Sequence, residues 1–132
     1  MEDQKNNKEI ILYKEESYLI QGAIFEVYKT IGSGFLESIY QACLQKEFAA
    51  RKIPFLEQPE IQIAYKGEMI PLTFRPDFIC FERIIVELKS VSDLSDEHRA
   101  QLHNYLRISK LRLGLLVNFN HTPKVVIERI VL

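Results

Sequence analysis

Two charged residues, Glu87 and Lys89, lie two positions apart in an otherwise apolar segment, Ile84-Ile85-Val86-Glu87-Leu88-Lys89. Successive side chains of a β-strand point to opposite faces, so these two charges share one face of the predicted strand. Buried charge is costly unless it is paired or bound to a metal. This face is therefore a solvated edge, a structural Glu–Lys ion pair or a chemical site.

A second carboxylate, Asp77, lies ten positions before Glu87 and begins the preceding apolar segment. Two oxygen ligands with open positions beside them are what Mg²⁺ accepts when phosphate groups complete its coordination. Lys89 would then orient water or offset negative charge that develops on a phosphate. The three residue types together predict a site for Mg²⁺ or Mn²⁺ and phosphate chemistry.

The connection between the two segments decides whether Asp77 can join this site. Directly opposed residues of an antiparallel pair point to the same face. A two-residue turn at Glu82-Arg83 would pair Asp77 with Leu88 and send Asp77 to the wrong face. A three-residue connection through Phe81, Glu82 and Arg83, or one β-bulge, pairs Asp77 with Glu87. We predict the odd residue.

The pattern along the chain predicts the elements that would hold these residues. Apolar residues at three- and four-residue steps predict one helix from Ser17 to Gly32-Ser33-Gly34 and a second from about Leu36 to Arg51. Alternating and short apolar segments predict strands over 61–65, 69–74, 77–81, 84–90, 113–119 and 125–131. Ser95 is the predicted N-cap of a helix that continues to about Lys110. This order, α-α-β-β-β-β-α-β-β, predicts an α/β (α+β sandwich) fold whose mixed central sheet is flanked by helices.

Length and composition predict one domain over residues 16–132 behind a flexible segment, 1–15, that is polar and charged. The net charge of the 132 residues is -1, so attraction to nucleic acid would need a local basic patch or bound cations. Cys43 and Cys80 have no paired spacing and suggest no disulfide framework. Without a recognisable leader or membrane span, the cytoplasm is the expected location.

Two motifs resemble those of a known group of enzymes. Arg75-Pro76-Asp77 followed by Glu87-Leu88-Lys89 resembles the motif of the PD-(D/E)XK nuclease superfamily, whose core order of helix, three strands, helix and strand matches the predicted order. The segment Gly34-Phe35-Leu36-Glu37-Ser38-Ile39-Tyr40, with Gln101 later in the chain, is similar to the GxxExxY group of that superfamily. The resemblance covers most of the chain, from about Tyr18 to Phe119.

The resemblance implies a restriction-endonuclease-like core and a role for each matching residue. Asp77 and Glu87, with Glu37 from the preceding helix, would hold the divalent metal, and Lys89 would assist hydrolysis. Gln101, with Tyr105 four residues later, resembles a QxxxY helix motif. Tyr40 is the last residue of the GxxExxY segment. The implied activity is hydrolysis of phosphodiester bonds in nucleic acid, expected to be DNA, by a water that the metal activates.

Helical wheels give an independent test of these assignments. Glu37 falls inside the apolar stripe of its helix, between Leu44 and Phe48, so we expect it to face protein. Gln101 and His98 fall within the buried arc of the later helix and should point at the sheet. His98 could bind phosphate, but a role in the core is the interpretation we favour. The opposite face, which includes Arg99, is expected to be solvated.

Two other functions are compatible with the same residues. The chain could be a module that keeps the nuclease-like fold without catalysis and binds nucleic acid or a protein partner, which the neutral overall charge supports. It could also be an interaction domain that forms a homo-oligomer through the outer faces of its first two helices. Zinc binding is not expected, because the three histidines lack metal-type spacing.

Overall fold

The computed structural model describes residues 11–132, and its first elements are two packed helices. Helix α1 spans Lys14–Ile31 and buries Ile20, Ala23, Ile24 and Val27, which recur on one face. Gly32 adopts a positive φ of 76° and donates its N–H to the carbonyl of Tyr28, which ends the helix. Helix α2 spans Glu37–Ala50 and buries Tyr40, Leu44 and Phe48 at four-residue steps. The predicted helix pair is confirmed.

The start of α1 differs from the prediction by three residues. The helix begins at Lys14, and Leu12 and Tyr13 before it pack against the core. Residues 1–10, most of the predicted flexible segment 1–15, lie outside the described residues. The periodicity from Ser17 missed the first turn because that turn is polar and is fixed by packing of its neighbours.

Within residues 11–132, seven strands form two sheets. The strands are β1 (Phe55–Glu57), β2 (Ile61–Tyr65), β3 (Glu68–Phe74), β4 (Phe78–Cys80), β5 (Ile84–Lys89), β6 (Leu113–Asn118) and β7 (Val126–Val131). The main sheet has the order β1-β4-β5-β6-β7, and β2 and β3 form a separate antiparallel hairpin. Within the main sheet β5 and β6 are parallel, whereas the other neighbours are antiparallel. The predicted mixed sheet is confirmed, with one strand more than the predicted order contained.

The additional strand is β1, which pairs with β4 along three residues. A segment of three residues is too short to show an alternating pattern, and it follows directly after Pro54. Its conformation comes from pairing with the buried strand β4 and from the bond between the N–H of Phe81 and the carbonyl of Pro54, 2.9 Å. Contacts with residues distant in sequence therefore determine the strand conformation of this segment.

Helix α3, Asp96–Ser109, covers the face of the sheet that α1 and α2 leave free. Its residues Leu102 and Leu106 pack in one cluster with Ile79, Ile85 and Leu116 of the sheet. Phe78, Val86, Leu88 and Val117 face the other way, into the larger cluster with α1 and α2. Glu87 and Lys89 alternate with Val86 and Leu88, so they lie on the α3 side of the sheet.

The face of α3 that carries Arg99 was expected to be solvated, and the Arg99 side chain is 39% exposed there. Its guanidinium also donates to both carboxylate oxygens of Glu128 on β7, at 2.7 and 2.9 Å. These bonds raise the pKa of Arg99 and lower that of Glu128. The helix is therefore fastened to the edge of the sheet as well as packed on its face.

Candidate metal centre

The connection between β4 and β5 has the three residues that the site requires. Phe78 pairs with Val86, Ile79 with Ile85 and Cys80 with Ile84, which leaves Phe81, Glu82 and Arg83 in the turn. Phe81 and Glu82 both have positive φ, 55° and 59°. One step beyond the paired residues, Asp77 lies opposite Glu87, so the predicted odd residue and the shared face are confirmed.

The two carboxyl groups are held beside each other by backbone donors from the opposite strand. The N–H of Asp77 donates to Oε1 of Glu87 at 2.8 Å. The N–H of Leu88 donates to Oδ2 of Asp77 at 2.7 Å. Each carboxylate thus has one oxygen bound to the neighbouring strand, and this exchange fixes both side chains at the end of the β4–β5 pair.

Burial and repulsion make this pair of acids hard to ionise fully. Glu87 is 6% exposed. Burial and then the charge of Asp77 raise the pKa of Glu87 to about 8, against the lowering effects of the Asp77 N–H and Lys89. Burial also raises the pKa of Asp77, and the Leu88 N–H and Lys89 oppose that rise. A divalent cation between the two carboxylates would replace the retained proton, so this donor set fits a metal such as Mg²⁺.

Lys89 and two residues of α3 complete the surroundings of the pair. The ammonium of Lys89 donates to Oε1 of Gln101 at 3.3 Å. The hydroxyl of Tyr105 has a raised pKa, first because of burial and then because of the charges of Glu87 and Asp77. Its ring stacks on Phe74 with 4.5 Å between centroids. Gln101 and Tyr105 therefore stand on the side of α3 that faces the site, but Gln101 is exposed, whereas the helical wheel placed it within the buried arc.

Glu37 is positioned differently from the wheel's expectation. It is the first residue of α2 and is exposed, whereas the wheel placed it against protein. Glu37 lies on the face of α2 that buries Tyr40 and Leu44, but a wheel cannot show whether another element covers a side chain in the first turn. Its charge still contributes to the raised pKa values of Asp77 and Glu87. No three His, Cys, Asp or Glu side chains within residues 11–132 form a metal-holding group, so the close pair is Asp77 and Glu87.

Tyr40 and His98 hold elements in place. The buried hydroxyl of Tyr40 donates to the carbonyl of Gly32 at 2.6 Å and accepts the N–H of Phe35 at 3.3 Å. This fixes the loop from which α2 and Glu37 begin. His98 forms a capping box with Ser95, in which Nδ1 of His98 accepts the N–H of Ser95 and Ser95 Oγ accepts the N–H of His98. His98 therefore caps α3.

An open cleft of about 460 Å³ lies beside Asp77 and reveals a residue that the sequence analysis did not select. Its lining residues are Glu37, Ser38, Gln41, Ala42, Glu57, Gln58 and Asp77. Gln41 donates to the carbonyl of Asp77 at 3.3 Å and to the carboxylate of Glu57 at 3.0 Å. The only signal in the sequence was its position, one helical turn after Glu37.

Asn118 is a second polar residue without a predicted role. It ends the apolar strand β6, is buried, and lies beside Lys89 in the parallel pairing of β5 and β6. The signal that could have found it is an amide at the end of a strand whose other residues are apolar, because a buried amide requires partners.

The arrangement of the elements and the carboxylate pair agrees with the comparison to known proteins. The family description "PD-(D/E)XK nuclease superfamily" matches residues 14–130. The chain therefore belongs to the PD-(D/E)XK nuclease superfamily. Proteins of this superfamily generally use divalent metals.

A solved structure shares the fold. The crystal structure of SSO0001 matches with a TM-score of 0.56 and 24% identity over 71% of this chain. The chain spans about half of that protein, 48% of its length, so the likeness concerns the fold alone. Curated proteins gave no match. In the part of the chain that the structure describes, no helix combines the length and the apolar character needed to cross a bilayer.

Proposed function

We propose that this domain is a divalent-metal-dependent nuclease of the GxxExxY group. Its active site, formed by Asp77, Glu87 and Lys89, would hydrolyse phosphodiester bonds. The observation that carries the proposal is the pairing of the buried Glu87 carboxyl group with the half-buried Asp77 carboxyl group, each bound to the other strand's backbone, with Lys89 on the same face. A structural Glu–Lys pair would need only one carboxylate. The second carboxylate adds charge repulsion and so raises the free energy of the folded state unless a cation binds between the two groups.

Asp77 and Glu87 would hold Mg²⁺ or Mn²⁺, and Glu37 would contribute acidic charge from the mouth of the cleft. When bound, the cation would supply the Lewis acidity that activates water and the positive charge that offsets a phosphate. Mg²⁺ commonly uses one or two protein carboxylates and takes its other ligands from water and phosphate. Two close carboxylates are therefore sufficient for this type of site.

The residues of the chain have distinct tasks in this proposal. The ammonium of Lys89 would stabilise charge that develops on the phosphate oxygens. Gln101 would orient Lys89 through the bond between its Oε1 and the ammonium. Gln41 would hold the backbone of Asp77 in place from the wall of the cleft. The substrate would be nucleic acid, for which we propose DNA, and its attraction would come from the cation and Lys89 because the net charge is -1.

The test is cleavage of single-stranded, duplex and branched DNA, and of RNA, with Mg²⁺ or Mn²⁺ and with EDTA. We expect metal-dependent cleavage by the parent protein, and a loss of at least about a hundredfold in Glu87→Gln and Asp77→Asn. These amides keep an oxygen that can accept the backbone N–H. Glu68→Gln, an acid-to-amide change at an exposed residue of β3, is the matched control and should keep parental activity.

Two outcomes would overturn the proposal. Parental activity in Glu87→Gln would exclude the assigned site. If neither the parent nor any variant cleaves any of the substrates, while the parent binds nucleic acid or a protein partner, the domain is the non-catalytic module of the same fold.

A further inference from the structure

Asn118 is the one buried amide in the described part of the sheet, and all its polar atoms have partners. It is 1% exposed and is the last residue of β6. Parallel pairing places it directly beside Lys89, and paired residues point to the same face, so its carboxamide lies on the side of Glu87 and Lys89.

The carboxamide holds the chain that follows Lys89. Nδ2 of Asn118 donates to the carbonyl of Val91 at 2.9 Å, and Oδ1 accepts the N–H of Val91 at 3.1 Å. Oδ1 also accepts the N–H of Asn120 at 3.2 Å. Both backbone groups of one residue are thus bound by one side chain, in the way that a neighbouring strand would bind them.

This clamp begins where the backbone pairing of β5 ends. The N–H of Phe119 donates to the carbonyl of Lys89 at 3.0 Å, and the clamp on Val91 takes over two residues later. Ser90, between them, donates its hydroxyl to the carbonyl of Phe35 at 2.5 Å. The segment 89–91 is therefore tied on one side to β6 and on the other to the loop that leads to Glu37.

We propose that Asn118 is a positioning residue of the site, which fixes Lys89 through the clamp on Val91 and couples it to the Glu37 loop through Ser90. The proposal rests on the proposed function at the same site. The clamp explains why a buried amide ends an otherwise apolar strand, where a leucine or valine would bury more apolar area. It predicts that Lys89 loses its orientation, and the carboxylate pair does not, when the amide is removed.

The experiment compares Asn118→Ala with the parent in two measurements. The first is steady-state cleavage, in which kcat should fall by about tenfold to a hundredfold with KM nearly unchanged, because misplacement of a catalytic group by about 1 Å has effects of that size. The second uses metal-free protein: NMR of the Lys89 side-chain nitrogen and hydrogen exchange of the Val91 amide. We expect a more mobile Lys89 signal and faster exchange at Val91.

The matched controls separate positioning from stability. Ile24→Val and Ile24→Ala, in the core under α1, should cause a small and a large loss of thermal stability, so that the loss in the Asn118 variants lies between them. Both Ile24 variants should keep the kcat and the Lys89 signal of the parent. Asn118→Ser removes the amide donor and keeps a small hydroxyl in its place without burying a charge. It should also show a fall in kcat, and it is the test variant if Asn118→Ala does not fold.

The outcomes also separate this proposal from the proposed function. If the parent cleaves and the Asn118 variants have the kcat of the Ile24 variant of equal stability, Asn118 has no positioning role. If the parent does not cleave at all, the proposed function fails, and the mobility of the Lys89 signal alone tests whether Asn118 positions Lys89. An unchanged Lys89 signal in the Asn118 variants then overturns the proposal, and a more mobile one supports it.

Discussion

Asp77 and Glu87 are bound to each other's strands, and burial raises the pKa of both carboxyl groups in spite of this exchange. Each carboxylate receives one backbone N–H, which favours its charged form, but burial of Glu87 outweighs that bond. The metal-free site therefore retains a proton near neutral pH. A cation and a proton compete for the same place, which links metal binding to pH.

The stability of the metal-free protein should fall as pH rises from about 5 to 8. The pKa of Glu87 is raised from 4.5 to about 8, so in this window the unfolded chain has released a proton that the folded chain retains. The unfolding free energy then decreases with pH, by up to about 1.4 kcal/mol per pH unit. Glu87→Gln should remove most of this slope and be more stable than the parent at pH 8.

Thermal unfolding in EDTA across this pH range measures the effect, with Glu68→Gln as the control that should follow the parent. Equal slopes for the parent and Glu87→Gln would contradict the buried-acid description of Glu87.

At the scale of elements, the sequence predicted the site through the β4–β5 connection. Strand alternation placed Glu87 and Lys89 on one face, and the requirement for an odd residue specified the turn that the structure contains. The long amphipathic helices could also be predicted, because their apolar residues repeat regularly over several turns.

The parts that could not be predicted depend on contacts distant in sequence. Strand β1 exists because β4 offers it a partner. Glu37 starts its helix, where periodicity predicts the direction of the side chain but not whether another element covers it. Asn118 has a role only because the folded chain brings Val91 to it, 27 residues away in sequence.

Gly114 limits how α3 can pack on the sheet. A Cβ at Gly114 would lie 2.8 Å from Cδ1 of the buried Leu102. We therefore expect Gly114→Ala to displace α3 and to lower the unfolding free energy by about 1–3 kcal/mol. Cleavage should fall as well, because Gln101 precedes Leu102 on that helix.

Chemical unfolding of the single variants and of Gly114→Ala combined with Leu102→Ala measures this. Because Leu102→Ala frees space for the new methyl group, the double variant should lose less unfolding free energy than the sum of the losses in the two single variants. Additive costs would show that Gly114 and Leu102 do not compete for space.

Tyr40 should matter through its hydroxyl. Tyr40→Phe keeps the ring stacked on Phe119 but removes the bonds to Gly32 and Phe35, which leaves a backbone carbonyl and an N–H without this partner. We expect a loss of about 1–3 kcal/mol in unfolding free energy. Tyr18→Phe, at a tyrosine that is 76% exposed, is the control and should be nearly neutral. A neutral Tyr40→Phe would show that the loop before α2 does not depend on the hydroxyl.

At the scale of the whole molecule, two helical layers enclose the sheet and leave the end of β5 open. The larger core lies under α1 and α2, and the smaller one lies under α3. The carboxylate pair is on the α3 side, and the cleft beside Asp77 is lined from α2 and β1. The site therefore needs both layers, although each of its central residues comes from the β4–β5 region.

The overall charge sets a condition on how this molecule meets nucleic acid. With a net charge of -1, general attraction to phosphate is weak, and a cation at the carboxylate pair would be the strongest local positive charge. In the proposed function, recognition and hydrolysis would therefore both depend on metal binding.

Crystals of the parent protein and of Glu87→Gln, soaked in Mn²⁺ and measured for anomalous scattering, test this central claim most directly. We predict a strong peak in the parent that lies about 2.0–2.5 Å from oxygens of both Asp77 and Glu87, as expected for a hard cation bound by carboxylates, and no such peak in Glu87→Gln. A parent map without a peak between these carboxylates, or with Mn²⁺ bound only elsewhere, would contradict the claim.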